Sequence, residues 1–222
     1  MRLRGILFCT ALMMISLSNV NAAPPFPEDD TTGERRVYAT GPTAPLVRMP
    51  SPLVEHDKIL GEAYSDTLGI LSEENSCSQF FGGPTGSVMV FNRLMSQVRK
   101  DYLSNTIGMR MSGEVISWFN METKTRYRMF DKVSINANGP FYRKKISPTE
   151  ASIPRLGSYE PNSKEVRVLI LLHELGHLMK GDDGNWLLPD DGKAEATSHD
   201  NSQKIEDVCG KQIKQLTKTS TK

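Results

Sequence analysis

Charge of one sign is what this 222-residue chain lacks: 27 Lys and Arg stand against 26 Asp and Glu, a formal net charge of +1. Binding to nucleic acid or to an anionic membrane rests on a basic surplus that neutralises phosphate, so that class of partner is excluded. Cysteine is scarce, at three residues, which is too few for a Cys-rich metal cluster. No apolar run reaches the roughly 20 residues of a membrane-spanning helix. Gly-x-x-x-x-Gly-Lys, Gly-x-Gly-x-x-Gly and Gly-x-Ser-x-Gly are all missing, and Gly82-Gly83-Pro84-Thr85-Gly86 reads as a turn rather than an anion cradle. What is present is 38% hydrophobic residues, enough for one globular domain with tails.

Arg2 and Arg4 precede an apolar stretch, Ile6 to Leu17, which leads to the small-residue end Val20-Asn21-Ala22. That is the three-part pattern of a secretory signal peptide, expected over residues 1–22. The expectation is a secreted or periplasmic protein with no stable membrane insertion after cleavage. Cys9 leaves with the signal, and losing Arg2 and Arg4 turns the formal charge from +1 to −1. Cys77 and Cys209 then sit in an oxidising compartment, where a pair tends to become a disulfide. The alternative is two buried free thiols.

Pro24 to Pro52 holds seven of the thirteen prolines and almost no apolar periodicity, so residues 23–54 read as a proline-rich disordered arm. A single domain is expected over 55–216, with a tail at 217–222. Ser87 to Tyr102 spaces Val88, Phe91, Leu94, Met95 and Val98 at helical intervals. Gly108 to Phe119 and Thr125 to Met129 read as strands. Asp131 to Asn136 alternates polar and apolar residues, which predicts a half-exposed strand at a sheet edge.

The last third is helical. Asn162 is the expected N-cap, with Glu165 reaching back to it, for a helix through Val166 to Met179 that stops near Gly181. A Gly/Asp/Pro loop follows to Thr197. A second helix then opens at Ser198 and carries the stripe Ile205, Val208, Cys209, Ile213 and Leu216. The fold class is α+β, a small antiparallel sheet packed on the first of these helices, followed by a C-terminal helix. Trp118 and Trp186 read as core or loop anchors.

His173-Glu174-Leu175-Gly176-His177 places two of the four histidines four residues apart on a helix. Residues at that spacing project from nearly one face, about 6 Å apart along the axis, so two imidazoles can hold one ion. Zinc accepts neutral imidazole and tolerates an open position for a water. Glu174 projects about 100° from His173 and reaches that water from the side as general base. The composition gives roughly 0.005 chance occurrences of the pattern, so a merely structural histidine pair is the weaker reading. Val166, Leu169, Ile170, His173 and His177 share a face, which aims both imidazoles at the interior.

The segment Leu-Leu-His-Glu-Leu-Gly-His-Leu-Met resembles the active-site helix of the zincin metallopeptidases. The resemblance covers that helix and, loosely, its surroundings. It implies that His173 and His177 are zinc ligands, that Glu174 is the catalytic base, and that a zinc-bound water attacks a peptide bond. It also implies an antiparallel edge strand lining the substrate cleft, for which Asp131 to Tyr142 is suitably placed to take an extended peptide by strand addition.

The third ligand stays open. The extended metzincin pattern points to Asp183, although Lys180 stands where that pattern has glycine. The gluzincin pattern points to Glu195, with Glu206 further along and His199 between them. Pro189-Asp190-Asp191-Gly192 is a turn that presents a carboxylate rigidly, which puts Asp191 first. The expected function is an exported zinc-dependent hydrolase, a metallopeptidase acting on peptide or protein substrates and not on nucleic acid. The alternatives are a non-catalytic zincin-like binding or envelope protein and a zinc-dependent cell-wall amide hydrolase.

Overall fold

A proline at the first helical position and an aspartate cap begin the folded region. The computed structural model describes residues 35–36, 50–104, 107–145, 152–192 and 194–218. The signal peptide expected at 1–22, the arm expected up to residue 49 apart from 35–36, and residues 219–222 lie outside the described residues.

α1 (Pro52–His56) starts inside the stretch read as arm and buries Val54. Asp57 caps α2 (Lys58–Ser72), its Oδ1 accepting the Leu60 N–H at 3.1 Å. The α2 stripe Leu60, Ala63, Thr67, Ile70 and Leu71 is buried, and its three-and-four spacing is that of an amphipathic helix. Asn75 forms a capping box with Ser78 and opens α3 (Ser76–Phe80). Gly83, at φ +92°, makes the turn into α4 (Pro84–Met95).

The helix predicted to Tyr102 ends at Met95, and Val98–Asp101 form β2. Val98 is buried while Arg99 to Asp101 are exposed, so a single inward side chain fits a strand as well as a helix. Pairing with a neighbouring strand decides between them.

That neighbour is β4 (Arg126–Asn136), which pairs antiparallel with β3 (Met109–Phe119) and parallel with β2. The sheet order is β1-β3-β4-β2, where β1 (Arg35–Arg36) runs parallel to β3. The fold is α+β, and the sheet is mixed around one antiparallel pair. Thr125 to Met129 and Asp131 to Asn136, expected as two strands, are one continuous strand. Nor is the second half an edge: Val133 to Asn136 pair with β2 on one side, and Val133 to Ile135 pair with β3 on the other. Alternating polarity reports a strand with one covered face, which interior and edge strands share. This stretch therefore does not present an open edge for strand addition.

α5 (Lys164–Leu178) is capped by Ser163, whose Oγ accepts the Val166 N–H at 3.1 Å. The expected cap, Asn162, lies one residue outside at φ +61° and holds Arg167 through its carbonyl and side-chain oxygens. Glu165 is consequently at the second helical position and not the third. α6 (Glu195–Lys218) begins before Ser198, whose N–H donates to the Ala194 carbonyl within the first turn. Its Ile205, Cys209 and Ile213 are fully buried against the core. Among the described residues, no helix is long and apolar enough to cross a membrane.

Cys77 on α3 and Cys209 on α6 form a disulfide across 132 residues of sequence, beside the Ser76 hydroxyl that donates to the Val208 carbonyl at 2.8 Å. The bond closes nearly the whole domain into one loop. Replacing both cysteines by alanine should cost about 2–5 kcal/mol of unfolding free energy in chemical denaturation; an unchanged midpoint would remove the disulfide from the stability argument.

Asp57 ties the first helices to the sheet. Besides capping α2, it accepts from Lys100 Nζ at 2.6 Å and from the Tyr142 hydroxyl at 3.0 Å. Burial alone would raise its pKa, but these donors hold it below the ordinary value. A carboxyl with a depressed folded pKa stabilises the fold above its unfolded pKa and stops doing so as pH falls through the folded one. Asp57→Asn should therefore cost about 1–3 kcal/mol at pH 7, with the gap to the parent closing as the pH drops below about 4, in urea titrations at both pH values.

Candidate metal centre

α5 carries the histidines because its sequence is apolar around nearly the whole circumference, which sinks the helix into the core. Buried with it are His173, 7% exposed, and His177, 4% exposed. Their Nε2 atoms lie 3.0 Å apart. The third member comes from the loop after the helix: Asp191 Oδ2 is 3.1 Å from His173 Nε2 and 3.6 Å from His177 Nε2. These three atoms form the donor group that the described residues gather for a cation.

The spacing fits zinc. Four-coordinate zinc with ligand bonds of 2.0–2.1 Å sets its ligand atoms about 3.3 Å apart, and the donors here are separated by 3.0–3.6 Å. Two imidazole nitrogens and a carboxylate oxygen are three donors, and a four-coordinate ion held by them would have one further position.

The electrostatics of the site point the same way. Burial would raise the Asp191 pKa, yet the two imidazoles hold its carboxyl well below the usual range. Burial would lower the His177 pKa, yet its hydrogen bond to Asp191 and the charges of Glu174, Asp191 and Asp190 raise it. Glu174 is half-buried, and burial pushes its carboxyl up, with Asp191 adding to the shift and the imidazoles opposing it. None of the described residues hydrogen-bonds it, which leaves the carboxyl available to a water.

Neighbours orient the first imidazole and the loop. Ser202 Oγ on α6 lies 3.0 Å from His173 Nδ1, so with Nε2 given to a metal the Nδ1–H donates to the hydroxyl and fixes the tautomer. His177 Nδ1 is buried without such a partner among the described residues, so that ring is set by packing and by its Nε2 contacts with His173 and Asp191. Asn201 Nδ2 donates to the Pro189 carbonyl at 3.0 Å and Lys204 Nζ to the Leu187 carbonyl at 2.9 Å.

The structure brings Asp191 to the histidines and the other four candidates elsewhere. Asp183 is exposed and caps Asn185. Glu195 is exposed at the start of α6. His199 is exposed, 3.6 Å from Asp200. Glu206 accepts from the backbone and hydroxyl of Ser158 and from Lys214, and those donors hold its pKa down against the effect of burial. Ser202 went unread in the sequence, although it shares the buried stripe of Ile205 and Cys209 at three- and seven-residue spacing. Arg128, a neighbour of the site, carried no sequence signal, and Asp190 is marked in the sequence only as part of the turn that presents Asp191.

No protein-family profile, curated protein or solved structure matches this chain.

The glycine inside the motif has its own role. A Cβ on Gly176 would lie 2.6 Å from the Cγ and Cδ1 atoms of Leu188, and the Leu188 N–H donates to the Gly176 carbonyl at 3.2 Å. The loop bearing Asp191 packs directly on the helix there. Gly176→Ala should cost about 1–3 kcal/mol by overpacking, read by thermal melting; a variant matching the parent would refute this reading of the contact.

Proposed function

We propose that this chain is an exported zinc-dependent hydrolase of zincin type, a metallopeptidase acting on peptide or protein substrates. The observation that carries the reading is the convergence of His173 Nε2, His177 Nε2 and Asp191 Oδ2 at zinc-ligand spacing, with Glu174 one residue along the same helix. The signal-type N-terminus and the Cys77–Cys209 disulfide support export.

In this reading His173, His177 and Asp191 hold the ion. When bound, zinc supplies Lewis acidity toward a carbonyl oxygen and makes water acidic near neutral pH. The chain's own residues do the rest. Ser202 keeps the His173 lone pair on Nε2 turned toward the site. Glu174 takes a proton from the attacking water at its carboxylate and returns it to the leaving amine, a transfer worth about 100- to 10,000-fold in rate. A carboxyl whose pKa is lifted by burial is suited to both halves of that exchange.

One observation favours a second substrate class. The strand stretch suited to docking an extended peptide is covered by β2 over Val133 to Asn136, so recognition through side-chain or glycan contacts, as on the amide bonds of cell-wall material, uses the same catalytic residues without strand addition. A diverse peptide pool and purified peptidoglycan, each incubated with the zinc-loaded protein, separate the two.

Glu174→Gln should retain stoichiometric zinc and lose at least about 100-fold in hydrolysis, whereas His173→Ala should lose the metal itself. A non-catalytic module would show no difference between parent and Glu174→Gln. Failure of the parent to take up one zinc per chain, measured by elemental analysis after reconstitution, would reject the whole reading.

A further inference from the structure

We propose that Arg128 is a positioning residue that sets metal affinity by fixing the third ligand to the second, an inference that rests on the zinc site described above. Arg128 stands on β4, outside the motif helix, and is 4% exposed. Its Nε donates to the backbone carbonyl of His177 at 2.8 Å. Its two terminal nitrogens donate to the two carboxylate oxygens of Asp190, Nη1 to Oδ2 at 3.3 Å. One rigid, planar group therefore touches the residue that carries the second ligand and the residue next to the one that carries the third.

The surroundings leave that group little freedom. The guanidinium carbon lies 4.1 Å from the centre of the Trp186 ring and 5.5 Å from that of Phe130, so the fork is held by aromatic faces before Asp190 arrives. The Leu187 and Leu188 N–H groups tie the start of this loop to the Met179 and Gly176 carbonyls at the end of α5. From α6, Asn201 and Lys204 hold the carbonyls of Pro189 and Leu187. Arg128 carries the reference to α5 further along the loop, to Asp190 beside Asp191. Its charge is matched by Asp190, whose side chain is 67% exposed, and Asp191 is left free to face the imidazoles.

A lysine cannot replace this arrangement, because an ammonium has no planar fork with which to meet a carboxylate and a carbonyl at fixed separation. Partners of this kind beyond the ligands typically change metal affinity by about 10- to 100-fold. The same loss is expected here for Arg128→Lys and for Asp190→Ala, and the double variant should bind zinc no more weakly than the worse single, since the pair acts as a unit.

The test is zinc affinity of the full chain by chelator competition, together with the visible absorption spectrum of the cobalt-substituted protein, at a temperature where circular dichroism shows each metal-free variant folded. Asp190→Asn, which keeps an acceptor at an exposed position, serves if Arg128→Lys does not fold. Weakened binding with an altered cobalt spectrum supports the proposal. Affinity of Asp190→Ala and Asp190→Asn within twofold of the parent, with Asp191→Ala still losing the metal, overturns it and leaves the zinc site standing. A parent that binds no zinc overturns the zinc reading instead, so the two failures are distinct.

Discussion

Burial of α5 is the constraint on which the rest of the structure depends. Eleven of its fifteen residues are buried, and two of those are imidazoles that cannot be left without partners at such a depth. The α2, α4 and α6 helices and the sheet pack around this helix, so the core and the candidate centre share the same walls. An ordinary buried helix would carry leucine at His173 and His177. Here the polar motif is retained inside an apolar shell, and its atoms turn toward a single point, where low polarizability strengthens every charge interaction.

Three separate pieces of chain meet at that point. α5 supplies the histidines and Glu174, the following loop supplies Asp191, and α6 supplies the Ser202 hydroxyl beside His173. Ser202 lies two helical turns before Cys209, so the helix that orients the His173 ring is the one the disulfide fastens to α3. Gly176 lets the loop approach α5 closely, and Leu188 fills the space a side chain would have taken. Stability and site geometry are therefore coupled through the same contacts, which is the usual condition for a preorganised centre.

Much of this was legible from residue order, and the failures have identifiable physical causes. The helix over Val166 to Leu178 and the paired histidines follow from periodicity, as does the α6 stripe. The helix predicted through Tyr102 failed because Val98 satisfies a helical pattern and a strand pattern alike, and the vacant side of β4 settled the matter. The edge assignment for Asp131 to Asn136 failed because alternation reveals a covered face and says nothing about which strands lie alongside. The cap slipped from Asn162 to Ser163 because the asparagine adopts a left-handed conformation and spends its oxygens on Arg167. All these choices depend on partners distant in sequence.

By itself the sequence determined the α+β class, the two ligand histidines with Glu174 beside them as candidates, and the two cysteines available for pairing, since each rests on local spacing or on residue chemistry. Only the tertiary structure chose Asp191 over Asp183, Glu195, His199 and Glu206 as the carboxylate beside the histidines. It alone recruited Ser202, Arg128 and Asp190. The reason is physical: helical periodicity fixes where atoms four residues apart must point, whereas a loop of similar carboxylates takes its direction from whatever it packs against, here Gly176, Arg128 and α6.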